Sequence, residues 1–175
     1  MACLRYSQSV TAACRDAQPG LTKIFIGNYA DVTSFDLDTA GTSITGLTMV
    51  TTGATFYEVV LNKQVGSFID TPTINIQNGV AVSKPKISFK VQGLSATAIQ
   101  MYKELLQADV VVVVKTIDGT LYGVGFGNGL SMSAGTLGSE AAVDGFIGGS
   151  FELDGIESSP FYIIATALDF ENIYV

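Results

Sequence analysis

Seven side chains in this sequence stand where charge could do work: Asp144, Glu152, Asp154 and Glu157 toward the C-terminus, and Lys84, Lys86 and Lys90 in the middle. On a strand, side chains alternate between faces, so Glu152 and Asp154 share one face and Lys86 and Lys90 share another. Two chemistries are open to them. The carboxylates of Asp154-Gly155-Ile156-Glu157, like those of Asp36-Leu37-Asp38, could gather oxygen ligands for a hard cation. Neither repeats the spaced ligand loop of an EF-hand, and a solvated turn accounts for both. Alternatively, the lysines of 84–90 meet the carboxylates of 140–157 on a neighbouring copy, as charge pairs between subunits. Solvated strand faces are the simpler account of the same residues.

Little else in the chain points to catalysis. There is no histidine and no tryptophan, which removes Ser-His-Asp and Cys-His nucleophiles, histidine metal sites and the commonest general base. A carboxylate pair, a lysine nucleophile or a cysteine without a histidine partner is all that would remain. The glycine run Gly123-Val124-Gly125-Phe126-Gly127-Asn128-Gly129 is not a dinucleotide fingerprint, because Asn128 stands at the third glycine position and no helical pattern follows. No catalytic, metal-ligating or cofactor-binding residue is assigned, and the expectation is a protein that is not an enzyme.

Charge is distributed unevenly. No lysine or arginine follows Lys115, while eight of the sixteen carboxylates do, so residues 116–175 carry about −8 within a net −7. Such a balance disfavours a DNA-binding face, since phosphate contacts need cations. It suits a surface that DNA must pass without adhering, or simply a soluble acidic end. Charged residues are only 14% of the chain, against about a quarter in ordinary soluble domains. Much uncharged surface would be exposed in a monomer, which favours self-assembly.

The totals bound the rest. A chain of 175 residues is most simply one domain. Its longest apolar run, Ala108 to Val114, is interrupted by Asp109 and is too short to span a bilayer, so no membrane insertion is expected. Arg5 to Ser9 occupy the place of a signal-peptide apolar core, and without that core Thr11-Ala12-Ala13-Cys14 does not make a lipidation site. Cys3 and Cys14 imply no disulfide framework; free thiols in a reducing cytoplasm are the default.

The elements that must position these residues are mostly strands. Thr22–Asn28, Ile44–Thr51, Thr55–Leu61 and Thr73–Gln77 are short, β-branched or aromatic, and bounded by Gly, Asn or Pro. Lys86–Val91 alternates polar and apolar, as a strand wet on one face does. Asn78-Gly79 predicts a type I′ hairpin, and Ile117-Asp118-Gly119-Thr120 predicts another hairpin, between Val110–Lys115 and Leu121–Phe126. One helix is expected over about 95–107, capped by Ser95, stapled by Leu94 against Ile99, with Ile99, Tyr102, Leu105 and Leu106 as its buried stripe. The alternate glycines of 123–129 read as a strand with one bare face, and Phe146–Leu153 and Phe161–Ile164 as closing strands. Residues 30–56 and 62–72 read as long loops or an extended hairpin that order only against neighbouring subunits. Around this core lie an N-terminal arm of about 1–20 and a C-terminal segment of about 165–175. The fold class expected is mainly β, a sandwich or barrel with one flanking helix.

The layout resembles phage tail tube proteins, in particular short ones from phages of Bacteroidetes hosts. The features that carry the resemblance begin with Met1-Ala2-Cys3-Leu4, Cys14 and Gly20 ahead of the strand Lys23–Tyr29. Next come Thr55-Phe56-Tyr57-Glu58, then the helix followed by Val110–Lys115 and Asp118-Gly119. The last is Asp144-Gly145-Phe146, Phe151, Leu153 to Glu157, and Pro160 to Ile163. What the resemblance implies is a hexameric ring, rings stacked into a hollow virion tail tube, and inner strands of all subunits merged into one wall. It further implies partners of the tape-measure, tail-terminator and baseplate type, assembly in the host cytoplasm, and passage of DNA without specific binding. The family brings no catalytic residues and no cofactor. Two other readings stand beside it. One is a different phage or surface β protein, such as a decoration protein or pilus subunit. The other is a small ligand-binding β module, lined by Phe35, Phe56 and Tyr57.

Overall fold

The computed structural model describes residues 20–50, 54–61, 65–75, 77–139 and 147–175. Cys3, Cys14, Asp144 and the expected N-terminal arm up to residue 19 lie outside the described residues. In chain order the strands are β1 (Leu21–Asn28), β2 (Val32–Leu37), β3 (Ser43–Met49), β4 (Tyr57–Val60), β5 (Gly66–Asp70), β6 (Thr73–Asn75) and β7 (Val80–Val82). They continue with β8 (Pro85–Gln92), β9 (Val110–Thr116), β10 (Leu121–Val124), β11 (Ser131–Ser139), β12 (Ile147–Asp154) and β13 (Tyr162–Ile164). Helix α1 (Ala96–Leu105) follows β8, and a single turn, α2 (Phe170–Ile173), lies near the C-terminus.

Two sheets form the layers. The larger runs β2-β3-β13-β10-β9-β1-β4, antiparallel except for the parallel pair β13–β3. The smaller runs β11-β12-β8-β5 and is antiparallel throughout. Neither closes on itself among the described residues, so the architecture is a sandwich rather than a barrel.

The valine run of β9 shows why the larger sheet sits between two cores. Val110, Val112 and Val114 face the smaller sheet, where they join Ile24, Ile87, Phe89, Phe151 and Leu153. Val111 and Val113 face the other way, into a second core with Phe25, Phe56, Phe126 and Phe170. A strand buried on both faces needs an unbroken apolar run instead of an alternating one, and β-branched side chains suit it. The smaller sheet is buried on one face only, so β8 alternates as its sequence predicts. The expected C-terminal segment is part of the second core. Phe170 lies edge-on to Phe25 and Phe56, with ring centroids 5.7 and 5.0 Å away. The Tyr174 hydroxyl donates to the Leu47 carbonyl at 2.5 Å.

Several local expectations change in the folded chain. Residues 32–49 form the β2–β3 hairpin, the second of the two forms expected for that stretch, whereas 66–70 is a strand paired to β8; residues 51–53 and 62–64 are outside the description. Asn75 pairs with Val80, so β6 and β7 are not joined by a two-residue type I′ turn at Asn78-Gly79; there Gly79 has positive φ and Asn78 does not. Ser95 does cap α1, accepting from the Ala98 N–H at 3.1 Å. The buried stripe, however, is Ala98 and Leu105 with Met101 and Tyr102 half-buried beside them. Ile99 and Leu106 stay 41% and 57% exposed, and Leu94 is exposed too. The helix packs over β11 and β12, with Tyr102 beside Gly135 and Phe151, and that contact sets which residues face inward. Finally, the glycine run is strand only as far as Val124; Gly125 (φ 84°) and Gly129 (φ 79°) bend it into a turn that L-residues with a Cβ resist.

Candidate assembly interface

The smaller sheet turns one face inward and one to solvent, and cross-strand register says which residues share the outer face. Lys86 is opposite Asp154, Ser88 opposite Glu152, and Lys90 opposite Ser150. On the far side of β12, Ala134 is opposite Glu152 and Thr136 opposite Ser150. The outer face is therefore made mainly of hydroxyls, small residues and four charged groups, Lys86, Lys90, Glu152 and Asp154, with the exposed aliphatic Ile69 of β5 opposite Lys86. The charges balance. Lys86 Nζ lies 2.8 Å from Glu152 Oε2, and the pair is half-exposed, so it contributes about 1 kcal/mol at most.

This placement bears on two expectations. Lys86 lies on a half-exposed strand face, and the carboxylate it meets is Glu152 of the same chain rather than one of another copy, the alternative reading, because β8 and β12 are adjacent strands. Nor are the described C-terminal acids all without a cation beside them. Glu152 is paired, Asp154 stands beside Lys86, and Glu171 is held 2.8 Å from Lys115. Lys84 is exposed at the start of β8, and none of the ion pairs among the described residues includes it.

Glu157 departs furthest from expectation, since it is only 5% exposed. Its carboxylate enters the 125–129 turn, where it accepts the backbone N–H of Asn128 at 3.0 Å and that of Gly127. Burial pushes this carboxyl above its ordinary value, and the two N–H donors oppose the shift. A Cβ at residue 127 would overlap Glu157 Oε2, so the turn accepts the carboxylate only with glycine there. Around it, Asn128 Nδ2 donates to the Ile156 carbonyl at 2.7 Å, and the Tyr29 hydroxyl to the Gly127 carbonyl at 2.6 Å. Glu157 and Ser83 exchange backbone bonds of 2.9 Å, and buried Ser83 donates its hydroxyl to Asp70 Oδ1 at 2.5 Å. The assembly ties three distant segments together: the ends of β5 and β7, the 125–129 turn and the chain leaving β12. Ser83, Asn128 and Gly127 were missed as a group; the period-two glycines were the available signal, and they read equally as strand.

The suspected cation clusters are committed elsewhere. Asp38 accepts the backbone N–H groups of Thr42 (2.8 Å) and Ser43 (3.1 Å), which hold its carboxyl below the ordinary range. Asp154 lies on the outer face and Glu157 is buried, so the two do not converge. No group of three or more acidic or cysteine side chains among the described residues could hold a metal. Of the three aromatics suggested for a ligand site, Phe35 packs on Phe126 and Tyr162, and Phe56 on Phe170. Only Tyr57, 69% exposed, lines an opening.

The strands at the edges complete the surface. β5 and β11 bound the smaller sheet and have no outer partner among the described residues. β11 reads Ser-Met-Ser-Ala-Gly-Thr-Leu-Gly-Ser, nine residues without charge or proline. Edges are normally guarded by lysine, proline or a bulge near the exposed side; β11 has one register shift, between Met132 and Ala134, and neither of the other two. No helix among the described residues is long and apolar enough to cross a membrane. No family model, curated protein or solved structure matches the chain.

Proposed function

We propose that this chain is a virion structural protein, the subunit of a phage tail tube, and not an enzyme. The observation that carries the reading is the smaller sheet: a mainly polar, charge-balanced outer face, interrupted by Ile69 of β5 and bounded by two open edges, one of them the uncharged β11. Joining β11 of one copy to β5 of the next would satisfy both rows of backbone donors and acceptors and extend the sheet around a ring. Its outer face would then become the wall of a channel. On that wall a polyanion meets hydroxyls and paired charges, with no cation cluster to retain it. The ring would be hexameric and stack into the tube, as in the proteins the sequence resembles. Tape-measure, terminator and baseplate-type proteins would be its partners, and the host cytoplasm its place of assembly.

Negative-stain electron microscopy of the concentrated, purified protein tests the reading. Hollow rings or tubes with a channel wide enough for a DNA duplex are expected. A strictly monomeric protein up to its solubility limit, by both microscopy and light scattering, would refute it.

A further inference from the structure

Besides the β5 and β11 edges, two further surfaces lack a partner among the described residues, and they differ in shape. The first is the β6–β7 ribbon, a two-stranded sheet outside both layers, joined to the β5–β8 ladder through reciprocal Thr71–Lys84 backbone bonds of 3.2 Å. Residues 71–83 contain no charged side chain, yet Ile74 is 68% and Val80 45% exposed. A two-stranded ribbon standing alone in water is marginal, and exposed β-branched residues on open edges invite a second chain. The second surface is a groove of about 770 Å³ between α1 and the β1–β4 border. Ile26, Val59, Met101 and Leu105 give it an apolar floor, with Gln100 and Glu104 among the polar groups around them. β4 is the last strand of its sheet and has no outer partner among the described residues.

We propose that the β6–β7 ribbon of one copy docks in the α1–β4 groove of a second copy. The proposal rests on the self-assembly reading above and specifies one of its contacts. The ribbon brings apolar Ile74 and Val80, and the groove has an apolar floor containing a methionine able to adapt its shape. Lys84, at the base of the ribbon, belongs to none of the described ion pairs; Glu104, exposed beside the groove, is bound only by the Gln100 amide at 2.7 Å. The groove's other carboxylate, Glu58, is already held 3.0 Å from Lys23. In the proposed contact the Lys84 ammonium would meet the Glu104 carboxylate, both outside the described ion pairs. Sizes agree as well: three-residue strands are about 10 Å long, and a ten-residue helix offers about 15 Å. A chain does not fill its own groove with its own ribbon, since Ile74 stays exposed in the folded protein. Ribbon and groove are different surfaces, so the contact is head-to-tail and either closes a ring or propagates.

Two measurements on the full chain test this. In a Cys3→Ser, Cys14→Ser background, Ile74→Cys with Met101→Cys should yield a ladder of covalent multimers when the assembled protein is oxidised. In parallel, Lys84→Glu and Glu104→Lys should each raise the concentration needed for assembly about five- to tenfold, and the double reversal should restore it. Both reversals are at exposed positions, and circular dichroism verifies that the variants fold. Tubes that form normally in both single reversals and give no covalent ladder would overturn this contact and leave the tube reading standing. A ladder from assemblies that are not tubular would support the contact and overturn the tube. Absence of both assembly and ladder would overturn the two together.

Discussion

Gly127→Ala isolates the buried carboxylate from every other feature of the fold. Gly127 is not in the left-handed region, so its backbone accepts alanine. The cost must come from the added Cβ, which would occupy the space of Glu157 Oε2. To make room the carboxylate must leave the turn, giving up the Asn128 N–H bond of 3.0 Å and the bond to Gly127 N–H. Hydrogen bonds to an ionised group are worth about 1.5–3 kcal/mol each. Residues 127 and 128 border solvent, so water recovers part of that, and the expected net loss is about 2 kcal/mol. Glu157→Ala should cost about as much, because it removes the same bonds. In the double variant the Cβ meets nothing, so Gly127→Ala should cost almost nothing on the Glu157→Ala background. Urea unfolding of the four proteins gives the coupling from the midpoints if the m-values agree. A coupling of about 1–3 kcal/mol is expected for groups in direct contact. If the two substitutions add to within about 0.5 kcal/mol, the carboxylate is not what glycine at 127 serves, and the reasoning fails.

Two further outcomes follow from the same structure. Glu157 titrates above its ordinary value of 4.5 in the folded chain, so the proton-linked part of its contribution to stability is full below that pH and is lost as pH rises through the folded value, while the bonds its carboxylate accepts remain. Wild-type stability relative to Glu157→Gln should therefore decline as pH is raised from about 4.5, and parallel pH profiles for the two proteins would contradict the assignment. Asp38 and Asp118 act in the opposite window, both titrating below 3.8, and stabilise until pH falls through their folded values, so they do not obscure the comparison. Phe151 is fully buried and stacked on Phe89 at 5.2 Å, so Phe151→Ala should cost about 3–5 kcal/mol by urea unfolding. A loss below about 1 kcal/mol would mean that the two sheets do not share this core.

What was legible in the sequence followed from period and composition. β8 alternates because one face is wet, β9 does not because neither is, and Ser95 caps a helix because its hydroxyl reaches the Ala98 N–H. Each of these signals is local. Tyr102 and Leu105 of the expected helix stripe face the core, but Ile99 and Leu106 do not; Ala98, small and apolar, looked less like core than Ile99, and only the position of β11 and β12 beneath the helix decides between them. The glycine run was ambiguous for a different reason. Alternate glycines fit a bare strand face and a tight turn equally well, and the choice depends on a carboxylate about thirty residues further along the chain. Lys86 was correctly placed on a wet face and given a carboxylate partner, but sequence could not tell that β12 would lie beside β8 and supply that carboxylate from the same chain.

That last difference bears on how a channel wall could work. A wall of unpaired carboxylates would repel DNA, but it would also repel the same acids on adjacent copies and oppose ring closure. On the outer face of the smaller sheet Lys86, Lys90, Glu152 and Asp154 sum to zero, and Lys86 and Glu152 are in contact. Such a face has little net field at the distance of a passing duplex, and short-range pairs of this kind are further screened by salt. Smoothness would then come from balance and small hydroxyl side chains rather than from repulsion. The chain's negative excess is carried elsewhere, by groups such as Asp118 in the β9–β10 turn and Asp169 beside α2, both exposed. In that arrangement the net negative charge of the C-terminal third lies away from the sheet that would meet DNA, and that sheet stays close to neutral.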